Sequence, residues 1–337
     1  MVTTDTFGIM GGMEESFVLA ADIGGTRARL FLGRVCEDAW HILRLHEMSC
    51  ADHDGVEALI EAFLSMVEGV DAPSVACFAV AGTLEGQRMR MTNLPWEVDG
   101  ERLRERFGFE RVHLINDFAA QAYGLACLDD EGIVVLHPGE ARAQGVRALI
   151  GPGTGLGMAV LSGALCHPLV FPSQGGLADF APRDARELAL CESLMAEHGR
   201  VSIEMLLSGH GIERLYRFVA DLPPGALLAR DAATIGVAAL EGDPIANETL
   251  RFFARLLVSA AANLGLTTLA RGGVYLTGGI VPRILPFLRA PELVERFCDH
   301  PLMSAVLARI PLYAVCDELL GLKGAARIAA RLTHDEN

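Results

Sequence analysis

The stretch FVLAADIGGTRARLFLG, residues 17–33, joins an apolar run to a second run with alternating apolar side chains through Gly24, Gly25 and Thr26. Short apolar runs bounded by glycine read as strands, so the stretch predicts a hairpin with a Gly-Gly-Thr turn. About 130 residues downstream, RALIGPGTGLGMAVL (147–161) repeats the plan: apolar strand, glycine-rich turn holding Gly153 and Thr154, returning strand. Such a repeat points to two related halves facing each other. Further strands are predicted in SVACFAVAG (74–82) and RVHLIND (111–117). Helices are predicted in FAAQAYGLACL (118–128) and in residues 51–70, where Val56, Leu59, Ile60, Phe63 and Leu64 recur at helical spacing. VYLTGGIVPRIL (274–285) reads as a strand, twin glycines and a proline near the start of a helix. The fold class is therefore α/β.

At 337 residues the chain has room for about two domains. A hydrophobic content of 51% against 21% charged residues predicts a folded globule. The formal charge of −15 disfavours nucleic acid, whose phosphates need a basic face, and anionic membrane surfaces as well. No two of the eight cysteines stand at C-x-x-C spacing, and most lie in apolar runs such as VACFAV. That pattern predicts reduced thiols, a cytoplasmic setting and no structural zinc. Residues 1–16 lack the basic flank and apolar centre of a secretory signal and read as a loose tail. The longest uncharged run, LLVSAAANLGLTTLA (256–270), is too short and polar to span a bilayer and reads as a buried helix.

Three glycine turns, DIGGT, GPGTGLG and TGGI, are candidates for chemistry. Glycine lets main-chain N–H groups approach phosphate oxygens closely. A dinucleotide fingerprint fails, because counting from Gly151 or Gly153 puts Leu156 or Met158 where the third glycine belongs. No G-x-x-x-x-G-K-[ST] loop occurs either. One such turn is ordinary hairpin chemistry; two Gly-Thr hairpins plus a strand-Gly-Gly-helix junction favour a nucleotide. Asp22, ending its strand beside the first turn, either orients Mg²⁺ through water or caps the turn. Asn116 and Asp117 stand at the carboxyl end of a strand, where open α/β sheets bind ligands. Asp117 is either a base for a hydroxyl attacking a γ-phosphate or a helix cap.

LAADIGGTRARL, MTNLPW, LINDFAAQAYGL, IGPGTGLG, GGLADFAP, SIEMLLSGHGIERLYR and GGVYLTGGIVPR occur in one order along the chain. In these motifs the chain resembles bacterial glucokinases, ATP-dependent sugar kinases of the actin, hexokinase and heat-shock ATPase superfamily, from about Phe17 to near the C-terminus. The resemblance implies an actin-like/hexokinase-like fold with ribonuclease H-like halves. Residues 17–127 plus 318–337 would form a small domain and 128–317 a large one, with sugar and ATP in the cleft. Ala21, Asp22, Ile23, Gly24, Gly25 and Thr26 resemble the family's first phosphate loop, and Gly153, Thr154 and Gly155 its second. Thr277, Gly278 and Gly279 are similar to the segment bordering the adenosine. Asp117 matches the general base for the glucose 6-hydroxyl, and Asn116 its sugar-binding neighbour. Glu204 matches a glutamate that reaches the sugar from a helix; on its own it reads as an acidic residue of a first helical turn. A homodimer with no nucleic-acid or membrane partner completes the expectation.

Three residues depart from the family pattern. Arg27 stands where asparagine is usual, placing a cation beside the phosphates. In FPSQGGLADFAP (171–182), Gln174 and a buried-looking Leu177 replace the glutamate and histidine of G-E-G-G-H. Hydrogen bonds to charged groups contribute about 1.5–3 kcal/mol and neutral ones about 0.5–1.5 kcal/mol. Gln174 would keep a weaker sugar contact and Leu177 none. A combined loss of about 2–4 kcal/mol weakens binding roughly 10- to 1,000-fold. Alternatives to an ordinary glucokinase are therefore a kinase with another sugar preference and a non-catalytic sugar or nucleotide sensor.

Overall fold

The computed structural model describes residues 17–36, 39–67, 72–91, 94–223, 228 and 230–334. The expected N-terminal tail (1–16) and Thr92 and Asn93 of MTNLPW lie outside the described residues. The first half holds β1 (Val18–Ile23), β2 (Arg27–Cys36), β3 (Ala39–Ser49), α1 (Val56–Leu64), β4 (Val75–Val80), β5 (Gly82–Glu85), β6 (Arg88–Met91), β7 (Glu97–Asp99), α2 (Gly100–Phe107), β8 (Arg111–Asn116) and α3 (Asp117–Gly124). The second holds β9 (Ile133–His137), β10 (Arg147–Pro152), β11 (Leu156–Ser162), β12 (Leu169–Ser173), α4 (Ala185–His198), α5 (Gly209–Val219), α6 (Ala232–Leu240) and α7 (Pro244–Thr268). It continues through β13 (Gly273–Leu276), α8 (Leu285–Leu288), α9 (Pro291–Cys298), α10 (Ser304–Leu307), β14 (Leu312–Val315) and α11 (Leu320–His334).

Two sheets organise the chain, ordered β3-β2-β1-β4-β8 and β12-β11-β10-β13-β14-β9. The expected repeat is visible in their pairing. β1 pairs antiparallel with β2 and parallel with β4, and β10 pairs antiparallel with β11 and parallel with β13. Strands β4 and β10 are buried along their whole length, which is why they read as continuous apolar runs. Val56, Leu59, Ile60 and Phe63 bury one face of α1, which ends at Leu64, short of the predicted span. Beyond β13 the expected helix is a 3₁₀ turn at Pro282–Ile284 followed by four-residue α8, because Pro282 and Pro286 each remove a main-chain donor.

The uncharged run at 256–270 falls in α7, capped by Asp243, whose carboxylate accepts Ile245 and Ala246 N–H at 3.0 Å. α7 is the one helix among the described residues long and apolar enough to cross a membrane, yet 67% of its most apolar window is buried in the protein, as in a core helix. Around it, residues of β10, β13 and α4–α9 form one core. A second core joins β1, β2, β4 and α1, and a third joins β1, β4 and α11, which returns from the second sheet to pack on the first. Phe118, Ala122 and Leu125, from α3 and the turn after it, form a fourth core with Leu149, Ala159 and Leu161 of the second sheet. Helix α3 is thus packed between the two sheets, with its N-terminus at the strand ends. Cys77 is buried in β4, as its apolar run predicted; Cys50 and Cys191 are buried too, and none of the three forms a disulfide.

Candidate active site

A cavity of about 380 Å³ is lined from both glycine hairpins. Thr26 and Arg27 come from the first turn, Thr154 from the second, and Thr277, Gly278 and Gly279 from the end of β13. The remaining wall includes Asp22, Arg29, Gln121, Arg283, Asp317, Glu318 and Gly321. Strands β1, β10, β13 and β14 all end here, so the site stands outside the carboxyl edge of two sheets. Gly24, Gly25 and Thr26 are accessible, whereas Ala21 and Ile23 are buried and paired on both sides by β2 and β4. Those two residues build the strand that carries the turn. Thr277 is 1% exposed, and its Oγ1 lacks a hydrogen-bond partner among the described residues.

The cations of this wall differ in how they are held. Arg29 Nε donates to Glu47 Oε2 at 2.8 Å, Nη1 to Glu318 O at 2.6 Å and Nη2 to Glu318 Oε2 at 3.0 Å. Arg27 is exposed and reaches Glu47 Oε1 at 3.1 Å. Asp317 Oδ1 accepts Leu319 N–H at 2.9 Å, and its Oδ2 accepts Nζ of Lys323, the chain's only lysine, at 2.7 Å. The sequence reading missed Arg29, Gln121, Arg283, Asp317 and Glu318. Arg29 stands one alternation beyond Arg27 on the same strand, a usable signal. Glu318 gave none, because its partner is 289 positions away.

Asn116 and Asp117 separate two roles that the bare pair left open. Asn116 is the cap of α3: its Oδ1 accepts Phe118 N–H at 3.0 Å and Ala119 N–H at 3.2 Å, and its Nδ2 donates to Gly82 O at 3.3 Å. Capping by Asn116 leaves Asp117 in the first turn, where it accepts Phe118 N–H at 2.9 Å. Burial pushes the Asp117 carboxyl up to about 7, helped by the charge of Asp22 and opposed by the Phe118 amide. Asp22 is paired within the β1–β2 ladder opposite Arg29, one residue from its end, rather than capping a turn. Burial raises it to about 6 against the pull of Arg29. Both carboxyls are thus held above the ordinary carboxylate range, chiefly by burial.

The second turn and the loop of FPSQGGLADFAP lie side by side. Gly153 N–H donates to Gly155 O at 2.8 Å, closing the turn. Glu204 is not in a first helical turn as expected. It lies in the segment before α5, and its Oε2 accepts Leu156 N–H at 2.8 Å. Gln174 precedes a 3₁₀ turn at Gly175–Leu177 and is exposed. Leu177 is 51% exposed, correcting its buried look; the buried member of the turn is Gly176. The aromatic ring of Phe118 explains two glycines of GPGTGLG. A Cβ at Gly157 would lie 1.8 Å from its Cε2, and one at Gly151 would lie 2.8 Å from its Cζ.

No group of three or more His, Cys, Asp or Glu suited to a metal occurs among the described residues. Asp22 on the cavity wall, with no hydrogen bond to its carboxylate among those residues, fits an ion that arrives with phosphate and keeps most of its water.

The model of the glucokinase family matches residues 19–332. A glucokinase from Chromohalobacter salexigens is 38% identical over 307 residues, 91% of this chain and 95% of the relative. Among solved structures, a glucokinase from an Antarctic psychrotroph superposes with a TM-score of 0.80 at 34% identity, covering 94% of this chain and 99% of that one. The glucokinase of Balamuthia mandrillaris, solved in complex with glucose, gives a TM-score of 0.79 at 25% identity over 93% of each chain. The expected actin-like, hexokinase-like α/β fold is the one observed.

Proposed function

The chain belongs to the glucokinase family, and from that premise we propose that it transfers the γ-phosphoryl group of ATP to the 6-hydroxyl of glucose. Asp117 carries the reading: it opens a helix that its neighbour caps, so its carboxylate is available to accept the hydroxyl proton. Asn116, Gln174 and Glu204 would border the sugar. The turns Gly24-Gly25-Thr26 and Gly153-Thr154-Gly155 would cradle the phosphates, and Thr277, Gly278 and Gly279 the nucleoside. The place of all three on the cavity wall supports that last assignment. Mg²⁺ brought in by the nucleotide and held through water by Asp22 would neutralise phosphate charge as it develops. The packing of α11 on β1 and β4 supports a domain of residues 17–127 plus 318–337 closing on one of 128–317 and excluding water. The cytoplasmic setting rests on the cysteine pattern of the sequence. The homodimer rests on family resemblance.

Replacing Asp117 by Ala should lower kcat about 10²- to 10⁴-fold with nucleotide affinity retained, read by coupled ADP release and by titration with AMP-PNP. Near-normal turnover in that variant overturns the assignment of the base. The exposed, neutral Gln174 and Leu177 favour a second reading: weak glucose affinity or preference for another hexose. Glucose ranking first in kcat/KM across a sugar panel, with KM well below about 1 mM, removes that second reading.

A further inference from the structure

We propose that Glu204 is a positioning residue that ties the sugar-side loop to the second glycine turn, so that occupancy of the sugar site sets nucleotide affinity. The proposal rests on the two-site reading above. Glu204 is bonded in both directions. Its main-chain N–H donates to Gly176 O at 2.8 Å, in the loop that carries Gln174 and Leu177. Its Oε2 accepts the N–H of Leu156, the residue that follows the Gly153-Thr154-Gly155 turn, at 2.8 Å. Steric contacts close the same knot. A Cβ at Gly155 would lie 2.6 Å from Glu204 Oε2, and one at Gly176 would lie 2.1 Å from Leu156 O. Leu156 is therefore bonded at its N–H by the carboxylate, while Gly176 packs closely against its C=O.

The turn behind Leu156 has little freedom to absorb a displacement. Gly153 N–H bonds Gly155 O at 2.8 Å, and Gly209 N–H bonds Gly153 O at 2.9 Å. A shift of the Glu204 carboxylate thus passes to the turn whose Thr154 lines the cavity. With Oε2 on Leu156, the other oxygen is left to accept a sugar hydroxyl. A sugar hydroxyl bonded to that oxygen holds the carboxylate, and through Leu156 N–H the turn, in its nucleotide-binding arrangement, so the coupling is positive. Linkage makes it reciprocal, and factors of about 5–150 are typical of such coupling.

The test is titration of the full chain with AMP-PNP, with and without saturating glucose. For the unmodified protein, glucose should lower the AMP-PNP Kd by at least about fivefold. Glu204→Ala should weaken AMP-PNP binding in the absence of sugar and bring the glucose effect close to onefold. Glu204→Gln, which keeps an acceptor for Leu156 N–H, should hold the sugar-free Kd within about twofold. If Glu204 contacted only the sugar, Glu204→Ala would leave sugar-free AMP-PNP affinity unchanged, and that result overturns the proposal. Should Glu204→Ala fail to fold, Gly155→Ala reads the same contact by displacing the carboxylate, and unchanged nucleotide affinity there overturns it equally. If the unmodified chain binds no AMP-PNP, the two-site reading itself falls and takes this inference with it.

Discussion

The hairpin of β1 and β2 and the hairpin of β10 and β11 share one strand plan, each with a parallel neighbour on the far side and a Gly-Thr turn at the cavity. They differ in what their glycines do. In the first turn Gly24 N–H closes on Arg27 O at 2.9 Å, and the chain then sends Arg27 and Arg29 to the cavity wall. In the second, Gly151 and Gly157 make room for the Phe118 ring, Gly155 abuts Glu204, and only Gly153 of the four faces open space. Where Arg27 follows Thr26, Gly155 follows Thr154. The first turn is arranged around charge, the second around close packing that fixes α3 and the neighbouring loop.

The largest effect that could break this contrast is on stability. Gly157→Ala puts a Cβ 1.8 Å from Phe118, a ring buried between the sheets, so the ring or the strand must move. The expected loss is about 3 kcal/mol or more in urea unfolding, at the upper end of overpacking costs. Gly153→Ala, facing open space, should stay within about 1 kcal/mol. Phe118→Leu in the Gly157→Ala background should recover part of the loss. Equal stability of the two single variants would show that the ring does not dictate the glycine.

An intermediate effect concerns the carboxyls at the ends of the first sheet. Asp117 titrates near 7 in the fold against an ordinary value of 3.8. Its protonated form is therefore favoured by folding. This stability is full below the ordinary carboxylate range and is lost as pH rises through about 7. Asp117→Asn should accordingly melt a few degrees higher than the unmodified chain at pH 8, by roughly 2–4 °C, and the gain should vanish towards pH 4. On the proposed role of Asp117 as base, it must be ionised to act, so kcat/KM should rise with pH through an acid limb near 7. Asp22→Asn removes the neighbouring charge that raises Asp117, and the limb of its residual activity should move to lower pH. A limb that stays in place, or moves up, breaks the link between the two carboxyls.

How much of this was legible in the sequence depends on the range of each interaction. The strands around Gly25 and Gly153 could be read because apolar runs and glycines are local signals, and the sheet pairing bears them out. The N-terminal position of Asp117 on its helix was local too. What could not be read was which of two adjacent residues serves as cap, since Asn and Asp are equally good caps until Asn116 also finds Gly82 O. Phe118 looked like an ordinary helical apolar residue, because its glycine seats lie some 30–40 residues away in another sheet. Leu177 looked buried because leucine usually is, yet the tight 3₁₀ turn buries Gly176 and leaves Leu177 outside. Glu204 matched its motif in sequence, but its bond to Leu156 crosses 48 positions and no periodicity announces it.

The smallest expected effect separates the two turns by charge alone. Arg27 is exposed and its contact with Glu47, at 3.1 Å, is a surface ion pair of at most about 1 kcal/mol. Arg27→Asn should leave Tm nearly unchanged. In the cavity, however, Arg27 is an exposed cation on the first turn with no counterpart on the second, within a chain of net charge −15. Its removal should raise KM for ATP about 3- to 10-fold at low ionic strength with kcat little altered, since a partly screened charged contact is worth about 1 kcal/mol. The difference should shrink in about 0.5 M salt, where the Debye length falls to a few ångströms. Thr154→Ala on the second turn should raise KM without that salt dependence. If both variants respond to salt alike, the first turn does not owe its nucleotide contact to charge.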